Sequence, residues 1–99
     1  MTSSQKKLSG TLIKKKLKKV PGWILNAKET QISKTFVMNS FVAGLAFIAK
    51  ITVHAEVLEH HPDVELTYDR VKVKLTTHDV QGLTNADFEL AQRIDRLRI

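Results

Sequence analysis

The chain has 99 residues, no cysteine, and 16 Lys plus Arg against 10 Asp plus Glu, a formal net charge of +6. This length holds one domain, because two cores would share about 50 residues each, and 42% hydrophobic with 26% charged residues is the composition of a folded chain. The missing cysteine excludes disulfides, iron–sulfur clusters, thiol nucleophiles and thiolate zinc sites, while the basic excess raises nucleic acid or another anionic surface as a partner.

Met1 to Lys19 lacks the apolar segment of a secretory signal, and residues 1–7 are expected to be disordered. Lys14, Lys15, Lys16, Lys18 and Lys19 crowd one segment, with Leu12, Ile13, Leu17 and Val20 at helical spacing between them. This predicts a basic amphipathic helix of about ten residues, ended by Pro21-Gly22. Trp23 to Leu25 and Gln31 to Val37 then read as two strands around a turn at Asn26 to Thr30. Asn39 is the expected N-cap of a helix from about Ser40 to Leu58. Its buried face is predicted as Phe41, Leu45, Ile48 and Thr52, flanked by Val42, Ala46, Ala49 and Val53. The most apolar run, Phe41 to Ala49, stops at Lys50, well short of the roughly 18 residues a membrane span needs. A soluble, cytoplasmic protein with no membrane partner is the expectation, with the nucleus as the alternative location.

Pro62 forces His61 out of the helical region, so the long helix must stop by about Glu59. Val64, Leu66 and Tyr68, then Val71, Val73 and Leu75, alternate with polar residues as a hairpin turning at Asp69-Arg70. Thr84 and Asp87 resemble a capping box opening a last helix, whose buried stripe is Phe88, Ala91, Ile94 and Leu97. The fold class is therefore α+β: a single domain over residues 1–99, order α-β-β-α-β-β-α, with a four-stranded antiparallel sheet and three helices packed on one face.

Four histidines remain as candidates for chemistry: His54, His60, His61 and His78. Glu56 precedes His60 by four residues, so a persisting helix would let its carboxylate orient that imidazole. Adjacent helical residues do not share a face, so His60 and His61 are expected to point apart. By themselves these residues also fit a polar turn with idle histidines. A three-histidine metal site with Glu56 is a rival, made awkward by the adjacency of two ligands and the lack of any His-x-His spacing.

The run Glu56, His60-His61-Pro62, Tyr68, His78 and Asp87 keeps fixed spacings that resemble the motif of the pterin-4a-carbinolamine dehydratases. Trp23 after a glycine, Phe36 leading into Phe41 and Phe47, Thr76-Thr77-His78-Asp79 and Gly82-Leu83-Thr84 are similar as well. The likeness runs from about Leu8 to Leu97. Met38, Gly44 and the lysine-rich first helix depart from it. The resemblance implies dehydration of 4a-hydroxytetrahydropterin to quinonoid dihydropterin, the tetrahydrobiopterin recycling step after aromatic amino acid hydroxylases, with no cofactor or metal.

Imidazoles suit such proton transfers near neutral pH. The family pattern makes His60, His61 and His78 the catalytic set: His60 and His78 as acid and base, His61 holding the pterin. Glu56, Pro62, Asp87, Trp23 and Thr77 are its candidate orienting or substrate-binding residues. Tyr68 is expected as core or ligand contact, and His54 has no assigned part. The resemblance also implies a homodimer or homotetramer. The alternative to an enzyme is a dimerisation cofactor for a transcription factor, or nucleic-acid binding through the lysine helix.

Overall fold

Alternation of apolar and polar residues along the strands builds a sheet with one covered face and one wet face. The computed structural model describes residues 5–99. In chain order the elements are α1 (Gly10–Leu17), β1 (Ile24–Leu25), β2 (Ile32–Val37), α2 (Phe41–Leu58), β3 (Asp63–Thr67), β4 (Arg70–Leu75), a 3₁₀ turn (His78–Val80) and α3 (Asn85–Asp95). The strands form one antiparallel sheet in the order β1-β2-β4-β3. This is the expected α+β architecture and element order. Of the stretch expected to lack order, residues 1–4 lie outside the described residues. Residues 5–7 have no regular secondary structure, and Leu8 N–H donates to the Leu83 carbonyl at 2.8 Å.

Register places Ile32 opposite Leu75 and Phe36 opposite Val71, and all four side chains are buried. Val73 joins them, while Lys72 and Lys74 take the other face. Helix α1 contributes Ile13 to the core, and α3 contributes Phe88, Ala91 and Ile94 with Leu97 packed at the edge. Tyr68 is not in the core: it sits in the β3–β4 turn and is 79% exposed. The alternation that includes it ends at Thr67, where the strand gives way to the turn.

Helix α2 differs from expectation at its start and in its buried face. Ser40, not Asn39, is the N-cap, and its Oγ accepts from Ala43 N–H at 3.0 Å. The side chains facing the sheet are Phe47, Ile51 and Ala55, with Gly44 preceding them on the same face. Gly44 is there for close approach, since a Cβ at that position would stand 2.6 Å from Leu66 Cδ1. Phe41, Val42, Leu45 and Val53 of the expected stripe and its flank are exposed, as is Val57.

Lys50 interrupts the apolar run, but the helix as a whole, Phe41–Leu58, stays largely apolar. Over these 18 residues the mean hydropathy is 1.7, long and apolar enough to cross a membrane by length and composition. A helix apolar all round gives periodicity no single face to choose, and here only one of its faces is covered.

Candidate active site

The site is made where α2 ends. Glu59 adopts the left-handed conformation (φ 51°, ψ 42°). Its N–H bonds to the Glu56 carbonyl at 3.2 Å, while His60 N–H reaches back to the Ala55 carbonyl at 3.0 Å. These are the two bonds of a Schellman cap, here with a glutamate where glycine is usual. The cap turns His60 off the helix axis, so the one-turn pairing of Glu56 with His60 does not form. Glu56 Oε2 instead meets His61 Nε2 at 2.7 Å, in an exposed pair whose side chains are 75% and 67% accessible.

His60 takes its partner from across the fold. Its Nε2 lies 2.5 Å from Oδ1 of Asp87, 27 residues later on the first turn of α3, and its side chain is only 11% accessible. Asp87 is fully buried. Its other oxygen, Oδ2, accepts from the Thr77 hydroxyl at 2.7 Å and from Thr84 N–H at 2.9 Å. The Thr77 and Thr84 hydroxyls are themselves 2.8 Å apart. A buried carboxylate is tolerated when donors satisfy it, and no buried side-chain polar atom among the described residues lacks a partner.

Because the carboxylate accepts, His60 carries its proton on Nε2, and Nδ1 is left as the ring's free nitrogen. The expected capping box at Thr84 and Asp87 exists, and the carboxylate that completes it is the one that holds His60. Capping and orienting are one device rather than alternatives.

Thr77 is set by an isolated antiparallel bridge to Gly82, with Thr77 N–H donating to the Gly82 carbonyl at 2.8 Å. The bridge pinches off the 3₁₀ turn, which begins at His78, an exposed residue directly after Thr77. A recess of about 240 Å³ lies among Leu58, Glu59, His60, Thr77, Asp79 and Val80, with Gln5 at its edge. This is less than the ~300–1,000 Å³ of ordinary small-molecule sites. Pro62, half-buried, follows the pair and leads straight into β3.

Trp23 is not brought to this group. It is 6% exposed, its Nε1–H donates to both Asp95 oxygens at 3.0 and 3.1 Å, and Phe36 packs edge-on against it at 6.2 Å. A ring enclosed at the far end of α3 has no free face for stacking, so its place is structural. Sequence reasoning missed Glu59 and Gln5 as lining residues, and the contact of the Thr84 hydroxyl with that of Thr77. Only Thr84 carried a signal, through its capping position. Among the described residues, no three His, Asp or Glu side chains converge so as to hold a metal ion, so the three-histidine metal arrangement is not formed.

The model of the pterin 4 alpha carbinolamine dehydratase family matches residues 6–97. A Sulfurisphaera tokodaii protein named as a pterin-4-alpha-carbinolamine dehydratase is 44% identical over 92 residues, covering 93% of this chain and 97% of its own. A Nostoc punctiforme protein of the same name is 38% identical over 91 residues, covering 92% and 96%. The crystal structure of a transcriptional coactivator/pterin dehydratase from Brucella melitensis superposes with a TM-score of 0.86 at 29% identity, covering 91% of this chain and 96% of that one. A pterin dehydratase-like RuBisCO assembly factor of the alpha-carboxysome shares the fold, with a TM-score of 0.64 at 23% identity over 75% of this chain and 86% of its own. A motif at fixed spacing, a matching fold and this similarity over nearly the whole length agree: the chain belongs to the pterin-4a-carbinolamine dehydratase family.

Proposed function

We propose that the protein eliminates water from a 4a-hydroxytetrahydropterin to give the quinonoid dihydropterin, as a step of tetrahydrobiopterin recycling after aromatic amino acid hydroxylation. The observation that carries this reading is the buried chain from Thr77 through Asp87 to His60, which ends on an imidazole lining a recess. A carbinolamine bears a hydroxyl and an amine nitrogen on one carbon. Losing water breaks the carbon–oxygen bond, places a proton on the departing oxygen and takes one from the nitrogen, leaving a carbon–nitrogen double bond. Both transfers suit imidazoles, and each positioned group contributes about 10²–10⁴-fold.

His60, with its proton fixed on Nε2 by Asp87, offers Nδ1 for one transfer. His78 supplies the other from the adjoining 3₁₀ turn, and His61, paired with Glu56, holds the pterin. The family assignment supports the substrate class. The protein also works as a homodimer or homotetramer, a reading supported by the apolar face of α2 left uncovered among the described residues: Val42, Leu45, Val53 and Val57 are each more than half exposed.

The test is the dehydration of freshly generated 4a-hydroxytetrahydropterin by wild type, His60→Ala, His61→Ala and His78→Ala. Wild type should exceed the spontaneous rate, with the largest losses at His60 and His78. A wild-type rate equal to the uncatalysed one refutes the enzyme reading and leaves a binding role, of the kind borne by the coactivator relative's name.

A further inference from the structure

A second concavity lies away from the recess at His60. A groove of about 710 Å³ runs between α1 and α3 and shares no lining residue with that recess. Lys16 and Lys19 line it from the first helical segment, Arg93 and Arg96 from α3, and His54 from α2. Glu89 is the one acidic residue in its wall, so four permanent cations face a single carboxylate. Arg93 already neutralises that carboxylate at 3.1 Å. Among the described residues Lys16, Lys19 and Arg96 have no carboxylate within ion-pair distance, although holding three like charges around one concavity is unfavourable without an anion between them.

The same Arg93 donates from Nη1 toward His54 Nδ1 at 3.4 Å. An arginine can only donate, so the ring's own proton sits on Nε2 and His54 is a further donor. Phe88 and Leu97 add apolar surface to the wall.

We propose that this groove is a second binding site, for a small phosphorylated ligand of the nucleoside polyphosphate class. Three observations favour a small ligand over a nucleic-acid duplex. The cations surround a pocket whose volume lies within the ~300–1,000 Å³ usual for small-molecule sites. Arginine presents a planar fork matched to phosphate oxygens. Of the five clustered lysines only Lys16 and Lys19 line the groove, whereas a duplex would be met by a broad basic face. The phosphates would lie on Lys16, Lys19 and Arg96, with the organic part against Phe88 and Leu97.

Calorimetric titration of the full chain with ATP, inorganic tripolyphosphate and a short DNA duplex at low salt tests this. ATP should bind in the micromolar range and be displaced by tripolyphosphate. Lys16→Glu and Arg96→Glu should each weaken it about tenfold or more, and Arg96→Lys should recover part of the loss. His60→Ala should leave ATP binding intact, and the two charge reversals should leave melting temperature and dehydration rate unchanged, which separates this site from the proposed pterin site. No ATP binding up to millimolar concentration, or binding unmoved by both charge reversals, overturns the proposal. Duplex binding without ATP binding also overturns it, and makes the lysines a nucleic-acid surface instead.

Discussion

Replacing Asp87 with Asn keeps the size of a fully buried side chain and changes what one atom does. In the native site both carboxylate oxygens accept: Oδ1 from His60 Nε2 at 2.5 Å, Oδ2 from Thr77 and Thr84 at 2.7 and 2.9 Å. The asparagine oxygen can still serve Thr77 and Thr84, but its amide nitrogen then faces Nε2 and donates. His60 must move its proton to Nδ1, the atom proposed to exchange a proton with substrate. Loss of a correctly protonated acid/base group costs about 10²–10⁴-fold in rate, and a comparable tautomer error in serine proteases costs about 10⁴. Replacing a charge-assisted hydrogen bond in a buried network should also cost about 1–3 kcal/mol of stability, with each kcal/mol lowering Tm by roughly 4–8 °C at this chain length.

The assay is kcat for dehydration with the spontaneous rate subtracted, paired with thermal melting and with ¹⁵N NMR of the His60 ring. The expected result is a folded protein with Tm lower by at least about 4 °C, a His60 protonated on Nδ1, and kcat down at least about a hundredfold. An Asp87→Asn protein that keeps kcat within a few-fold of wild type while the ring proton has moved would mean that orientation by the buried carboxylate does not matter.

Glu56→Gln should be far milder, within about tenfold in kcat, because an exposed pair contributes roughly 0–1 kcal/mol; a loss as large as that of Asp87→Asn would show His61 to be the dominant group. Ser40→Ala should lower stability by about 1 kcal/mol through loss of the α2 cap, whereas Asn39→Ala should not; chemical denaturation of both variants decides between them. Val53→Glu lies on the uncovered face of α2 and should dissociate the oligomer in sedimentation analysis without unfolding the subunit, and an unchanged sedimentation coefficient would place any interface elsewhere.

The Lys74 ammonium, bonded to Glu65 at 2.9 Å, holds that carboxyl below its ordinary value. The pair therefore stabilises the fold above the usual carboxylate range and loses that contribution as pH falls through the lowered value. Lys74→Met should bring the Glu65 titration, followed by NMR, back up toward the ordinary value.

Local chemistry was readable in the sequence because it acts over a few residues. Pro62 limits α2, alternation marks β3 and β4, and the Thr84–Asp87 spacing sets the start of α3, whereas α1 ends at Leu17, short of the Pro21-Gly22 stop that the sequence suggested. The histidine motif with its fixed spacings pointed to the family before any contact was known. The sequence did not identify the buried face of α2, because a helix apolar on all sides packs by what the sheet offers: Gly44, Phe47, Ile51 and Ala55 fit over it, and Phe41 and Leu45 do not.

Nor did sequence reveal the partner of His60. One left-handed residue, Glu59, swings that imidazole away from Glu56 and toward Asp87, a carboxylate 27 positions later. Trp23 and the α1–α3 groove follow the same rule, since both depend on where α3 lies against the rest of the chain. Secondary structure and family are written in short-range pattern. The burial of α2, the orientation of the site and the gathering of cations exist only once distant segments pack, since burial and long-range hydrogen bonds are properties of the assembled fold.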